Sequence, residues 1–352
     1  MSRFPFSEPR RVQRGEESGP SPAEETNYMR TLLSILLVAA TACGGGQFKD
    51  QARDAMPSKD TMSMGSPQRS QAVASSPGTD AVAQNSSVGQ KSPFFGLTVG
   101  VAATFNVPVA AFLDLLQHVT EDFEPTSCTA SSCTWQGSGA LDANTFRLVV
   151  SRDADGVSFD WTLSGQPKAQ PTSAFVEFAS GVATPGGQRH HGSGNFSIDF
   201  DQMALLGAAG DATGQLHVSH YTNVGPAQLA VTYLGANDTT DHPGTKNNIV
   251  YAYANDTSGG GDLDFAVHNT TTEDRFSVHS RWKNDGQGRA DVQGVGGGSS
   301  VSVSECWGSA PFSVVYFNSN ITLNLPPFGG PTSGSVSACA YVDASFSAKT
   351  AP

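Results

Sequence analysis

Val157-Ser158-Phe159-Asp160-Trp161-Thr162-Leu163-Ser164 alternates apolar and polar residues without a break. A period of two belongs to a strand, whose successive side chains point to opposite faces. Val157, Phe159, Trp161 and Leu163 therefore share a dry face, and Ser158, Asp160, Thr162 and Ser164 a wet one. The rhythm recurs at Phe196, Ile198 and Phe200, at Leu229, Val231 and Tyr233, and at Ile249, Tyr251 and Tyr253. It returns at Leu263, Phe265 and Val267, at Phe276, Val278 and Trp282, and at Phe312, Val314 and Tyr316. Such alternation marks an antiparallel sheet with one buried face.

Between these segments stand hairpin signals: Asp155-Gly156, Gly259-Gly260-Gly261 and Asp285-Gly286. No helical stretch separates the strands, so parallel crossovers are excluded. One helix is expected, over Val107 to Phe123, where Val109, Phe112, Leu113, Leu116 and Val119 follow the helical spacing behind Pro108. The reading is a mainly β protein: a long up-and-down meander of roughly ten to twelve strands around one N-terminal α-helix. A sheet of that width must close into a barrel or cover its concave face as a half-barrel.

Composition limits the function classes. Only 15% of the 352 residues are charged, and the balance is −12. A sequence-independent grip on nucleic acid needs a dense Lys/Arg surface, which this chain lacks.

Upstream, Met29 to Gly46 reads MRTLLSILLVAATACGGG. Arg30 and the apolar run Leu32 to Ala40 form a signal-peptide pattern, too short to span a bilayer comfortably. The end Ala40-Thr41-Ala42-Cys43 resembles the lipobox of bacterial lipoproteins. That resemblance implies acylation of Cys43, cleavage just before it, and membrane partnership through the lipid. By enterobacterial sorting rules, Gly44 after the cysteine implies the outer membrane. The expected organisation is then a misassigned extension over 1–28, a signal peptide over 29–42, an acylated Cys43 with a disordered linker over 43–92, and a single β-rich domain over 93–352. Met56, Met62 and Met64 are expected to be spacer residues of that linker.

With Cys43 assigned to lipid, an even four cysteines remain: Cys128, Cys133, Cys306 and Cys339. An oxidising periplasm favours pairing, and Cys128–Cys133 with Cys306–Cys339 is the expected choice among three connectivities. Zinc is a poor fit, since Cys133 and Cys306 are too far apart in sequence for ordinary ligand spacing.

Two further resemblances bear on function. The order of lipid anchor, tether, early helix and meander resembles, in architecture alone, the Lol carrier and receptor lipoproteins. The run Arg281-Trp282-Lys283-Asn284-Asp285-Gly286-Gln287-Gly288-Arg289-Ala290-Asp291, with Ser304-Glu305-Cys306-Trp307 and Ser337-Ala338-Cys339-Ala340, resembles uncharacterised lipoproteins of myxobacterial type. Gly308 departs from that pattern, where an acidic residue is expected. The resemblance implies a secreted lipoprotein and carries over no catalytic residue.

Other candidates read as surface chemistry. His217 and His220 should point to opposite faces of a strand, His190 and His191 sit in a turn, and His268 and His279 lack an evident third ligand. Asp153-Ala154-Asp155-Gly156 suits a hairpin turn better than a calcium loop. Asp199 with Asp201, and Asp262 with Asp264, share strand faces without the partners that glycoside chemistry needs. No nucleophile elbow or phosphate loop is present. No catalytic residue, metal or cofactor is expected. The functional expectation is a non-catalytic, lipid-anchored envelope protein whose curved sheet holds an apolar ligand or an envelope protein. A hydrolase with unrecognised residues and a packed barrel without a ligand site are the alternatives.

Overall fold

The computed structural model describes residues 46–62, 65–67, 87–238, 243–322 and 328–352. Cys43 and the signal-peptide assignment fall outside these residues.

Fifteen strands form one antiparallel sheet in strict sequence order. They are β1 (Pro125–Cys128), β2 (Ser132–Gly137), β3 (Asn144–Arg152), β4 (Phe159–Pro167), β5 (Val176–Pro185), β6 (Gly192–Asp199), β7 (Gln215–Thr222) and β8 (Gln228–Asn237). Then come β9 (Lys246–Asn255), β10 (Gly261–Asn269), β11 (Arg275–Trp282), β12 (Gly288–Gly296), β13 (Ser299–Trp307), β14 (Val314–Thr322) and β15 (Phe328–Gly334). The sheet is open, since β1 and β15 each pair on one side only. The meander stands as expected, with more strands than the sequence suggested. Val157 belongs to a turn rather than to β4.

The helix is longer than its spacing indicated. It runs Pro93–Glu121 (α3), with Ser92 as N-cap and Pro93 in the first turn. Its 29 residues span about 43 Å. Gly96, Gly100, Asn106 and Pro108 blur the pattern in its first half, yet tertiary burial sustains a helix that propensity would interrupt. Near its start, Thr98 Oγ1 lies 2.7 Å from Ser280 Oγ on β11. Farther along, Phe112 stacks near Trp161 of β4 and Phe196 of β6. The helix thus crosses the strands and covers the dry face.

The tether reading of 43–92 is corrected where the chain is described. Residues 46–55 form a helix (α1), and a short helix Lys59–Met62 (α2) follows. Phe48, Ala52, Ala55, Met56 and Met62 are core residues, so Met56 and Met62 are not spacers. Burying Phe48 and Met56 stabilises by about 1.5–3 kcal/mol each. Arg53 donates to the Thr120 and Phe123 carbonyls (2.7 and 3.1 Å), placing a cation at the C-terminal end of α3. His190 donates its backbone N–H to the Asp54 carbonyl (2.8 Å). The low apolar content of 44–92 concealed this because only one face of α1 needs apolar side chains.

Two bulges redirect side chains. Between Val218 and His220 the register slips, which puts His220 on the same face as His217 rather than the opposite one. A second slip, between Cys306 and Trp307 on β13, leaves Val314 opposite Trp307 and Tyr316 opposite Cys306. Tyr316 therefore leaves the dry face, and Phe317 enters the core in its place.

Candidate functional site

On the face covered by α3, one row of side chains crosses the sheet. From Trp135 through Leu148, Leu163, Ala179 and Ile198 to Leu216 it is sealed. Beyond β7 the same row continues as Tyr233, Ile249, Val267 and Phe276, then Gly294 and Val301. These residues are only half-buried, although they pack against the same core. Along this row the cover therefore ends at β8, whereas Tyr253, Leu263, Val278, Ala290 and Val292 on the same face of β9–β12 stay buried. The open part runs over five strand steps to β13, about 24 Å. A short helix, Phe200–Leu205 (α4), bounds it on the sealed side, with Phe200 and Tyr233 ring centroids 5.5 Å apart. Burial pushes the Tyr233 phenol up to about 12, against a hydrogen bond from the Thr213 backbone, so it stays a neutral hydroxyl. The stripe is apolar, uncharged and chemically inert. It escaped the sequence reading because alternation identifies a dry face without showing how much of it is covered.

The opposite face carries a polar strap. From the Cys306–Cys339 disulfide, the C-terminal segment lies across the outer face of β12, β11, β10 and β9. Arg289 donates through Nη1 to the Tyr341 and Val342 carbonyls (3.3 and 2.9 Å), and Arg281 to the Asp343 carbonyl (2.8 Å). The Ser345 N–H donates to Asp291 (2.9 Å), and His279 Nδ1 lies 3.0 Å from the Ser345 carbonyl. Asn248 donates to the Pro352 oxygen at 3.0 Å, and His268 Nδ1 contacts the same atom. Beneath the strap, Asp291 is fully buried and takes both oxygens of its carboxylate to Arg289 Nε (2.9 and 3.0 Å). Burial alone would push the His279 imidazolium down, but the Asp262 carboxylate at 3.0 Å and the nearby Asp264 outweigh it, and the net shift is upward.

Several of the C-terminal motif residues have structural tasks. Glu305 faces the dry side, fully buried, and accepts from the Ser92 hydroxyl and from Phe94 N–H (3.1 Å) at the start of α3. Trp307 donates its indole N–H to the Gly286 carbonyl at 2.8 Å. A Cβ at Gly288 would collide with the Trp307 ring, and Gly286 turns the hairpin at φ 83°. Asp285-Gly286-Gln287-Gly288 is therefore a turn shaped around a tryptophan.

The remaining sequence candidates do not assemble into a reactive centre. Both expected disulfides are formed, Cys128–Cys133 and Cys306–Cys339. Asp155 accepts from Val157 and Ser158 within its own hairpin, and these bonds lower its pKa. Asp199 and Asp201 do not share a strand face: Asp199 caps α4 through Gln202 N–H, and Asp201 accepts from Gly214 N–H in the first turn of α4. Ser197 Oγ and His217 Nδ1 are 2.8 Å apart in a shallow depression of the outer face that also holds Glu177, Ser180 and Gln215. Among the described residues His217 has no carboxylate hydrogen-bonded to it, so the pair lacks the orienting acid of a triad. No group of three metal-binding side chains occurs among the described residues. No helix among them is long and apolar enough to cross a membrane. No family model, curated protein or solved structure matches the chain.

Proposed function

We propose that this chain is a lipid-anchored protein of a bacterial cell envelope, held at the outer membrane through Cys43, which binds an apolar ligand and does no chemistry. The observation that carries the binding reading is the half-open row Tyr233, Ile249, Val267 and Phe276, a continuous apolar stripe beside a sealed core. Pockets for hydrophobic ligands are built this way, from aromatic and aliphatic walls with few polar groups. The lipobox resemblance at Ala40-Thr41-Ala42-Cys43 and the two disulfides support the envelope assignment.

The binding test uses the chain from residue 46 onward, secreted to the periplasm behind a cleavable signal. Starting at residue 93 would remove Phe48 and Met56 from the core. Native mass spectrometry should find co-purified lipid, and a fluorescent fatty-acid probe should bind. Val267→Lys should weaken the probe by at least about tenfold, since a cation set into an apolar contact must be desolvated. Its melting temperature should stay near wild type, because Val267 is only half-buried. Absence of both lipid and probe binding in the unmodified chain would leave a purely structural protein.

The anchor is tested separately. The full chain should incorporate radiolabelled palmitate and sediment with membranes, whereas Cys43→Ala should do neither. Equal labelling of the two would remove lipidation from the assignment.

A further inference from the structure

The helix nearest to Cys43 is part of the folded body, and this changes what a lipid on Cys43 would do. Only two residues, Gly44 and Gly45, lie between Cys43 and Gly46, the first described residue of α1, so the two are three Cα–Cα steps apart. That length of chain reaches at most about 11 Å. From there α1 is locked down at both ends. Near its start, Phe48 is buried against the Phe159 ring (centroids 5.5 Å apart), and Lys49 pairs with Glu124 at 3.1 Å. Farther along, Ala52 is fully buried, and Arg53 holds two carbonyls at the end of α3. At its far end, the Asp54 and Met56 carbonyls meet the backbone N–H and the ring of His190.

We propose that α1 clamps the body directly to its lipid anchor, so that the rim carrying α1 and the β3–β4 turn faces the bilayer at close range. The inference rests on the reading of Cys43 as the lipid-bearing residue. The partner is a lipid surface, identified by the short chain that joins it to α1. Arg152, at the end of β3, donates to Gln51 on α1 (2.6 Å) and lies over the Phe48 ring, which ties this rim to the helix. Val157, 55% exposed, lies in the turn just beyond Arg152. Leu141, fully exposed, lies beyond the other end of β3, about 30 Å away over nine residues. A long flexible linker would let the body tumble and would present both ends to the membrane alike. The clamp presents one.

The test uses the full chain in membranes, after palmitate labelling has established the anchor. A protease site is placed between Ser76 and Pro77, and cleavage is followed to completion by size. With the clamp, the fragment bearing the sheet stays in the membrane fraction, held through α1 without a covalent link. Phe48→Asp in the same background should release it. Release from the unmodified helix overturns the proposal while leaving lipidation intact. Loss of palmitate labelling removes the lipid reading and the proposal together. A second measurement needs no change in the core. Val157→Cys and Leu141→Cys are labelled with a fluorophore, and vesicles carry nitroxide headgroups. Quenching several-fold stronger at Val157 supports the clamp, and equal quenching at the two sites overturns it.

Discussion

Replacing Arg289 by alanine is expected to cost about 3–5 kcal/mol, the range for removing one partner of a buried ion pair. Asp291 is completely buried, and Arg289 itself is only 2% exposed. The Arg289 Nε–H is shared between both oxygens of Asp291 at 2.9 and 3.0 Å. Without Arg289 the carboxylate keeps Arg281 Nη2 at 3.3 Å, the Ser304 hydroxyl and the Ser345 N–H. Of these three donors only Arg281 carries a charge, and at 3.3 Å it lies farther from the carboxylate than Arg289 Nε does. The Tyr341 and Val342 carbonyls lose their donor in the same step. For a chain of this size the loss should lower the melting temperature by roughly 10 °C. Calorimetry of Arg289→Ala against the parent protein reads it directly. A drop of less than about two degrees would mean that the strap opens enough to hydrate Asp291.

Cys306→Ala should be nearly as damaging. The bridge to Cys339 closes a loop of 33 residues, and the chain-entropy relation assigns about 3–4 kcal/mol to a loop of that length. The same relation gives Cys128–Cys133, five residues apart, only about 2 kcal/mol. Reduction should therefore destabilise mainly through the C-terminal bridge, and Cys128→Ala should have the smaller effect in the same melting experiment. Equal losses at the two bridges would contradict the loop-length argument. The Cys306–Cys339 bridge also sets the point from which the strap departs. Hydrogen exchange at the Ser345 amide, which donates to Asp291, should accelerate in Cys306→Ala. Because Arg289→Ala and Cys306→Ala both loosen the strap, their combined cost should fall short of the sum.

Several elements were legible in the residues and others were not, for reasons that differ. Strict alternation at Phe159, Trp161 and Leu163 could not serve a helix, and these residues are core residues of β4. The same logic failed at Tyr316 and at His220, because a bulge adds one residue to a strand and reverses every face beyond it. Bulges leave little trace in a single sequence. The first half of α3 carries glycine and proline, so local propensity argued against a helix that the dry face requires. The stripe at Tyr233, Ile249, Val267 and Phe276 was visible as apolar residues, but nothing in the sequence distinguished them from the equally apolar Leu148 and Leu163.

The sequence by itself determined an antiparallel meander, since side-chain period and hairpin residues are local properties of the chain. It also favoured, among three connectivities, the pairing of the four cysteines after Cys43 that the structure forms, through count and proximity. Tertiary structure alone decided that the sheet stays open, that α1 belongs to the core, and that the row from Tyr233 to Phe276 is left half-covered beyond β7. It alone placed Glu305 at the start of α3 and laid the C-terminal segment over Asp291. Each of these joins residues far apart in sequence, and burial, which sets their energies, exists only once the chain has folded upon itself.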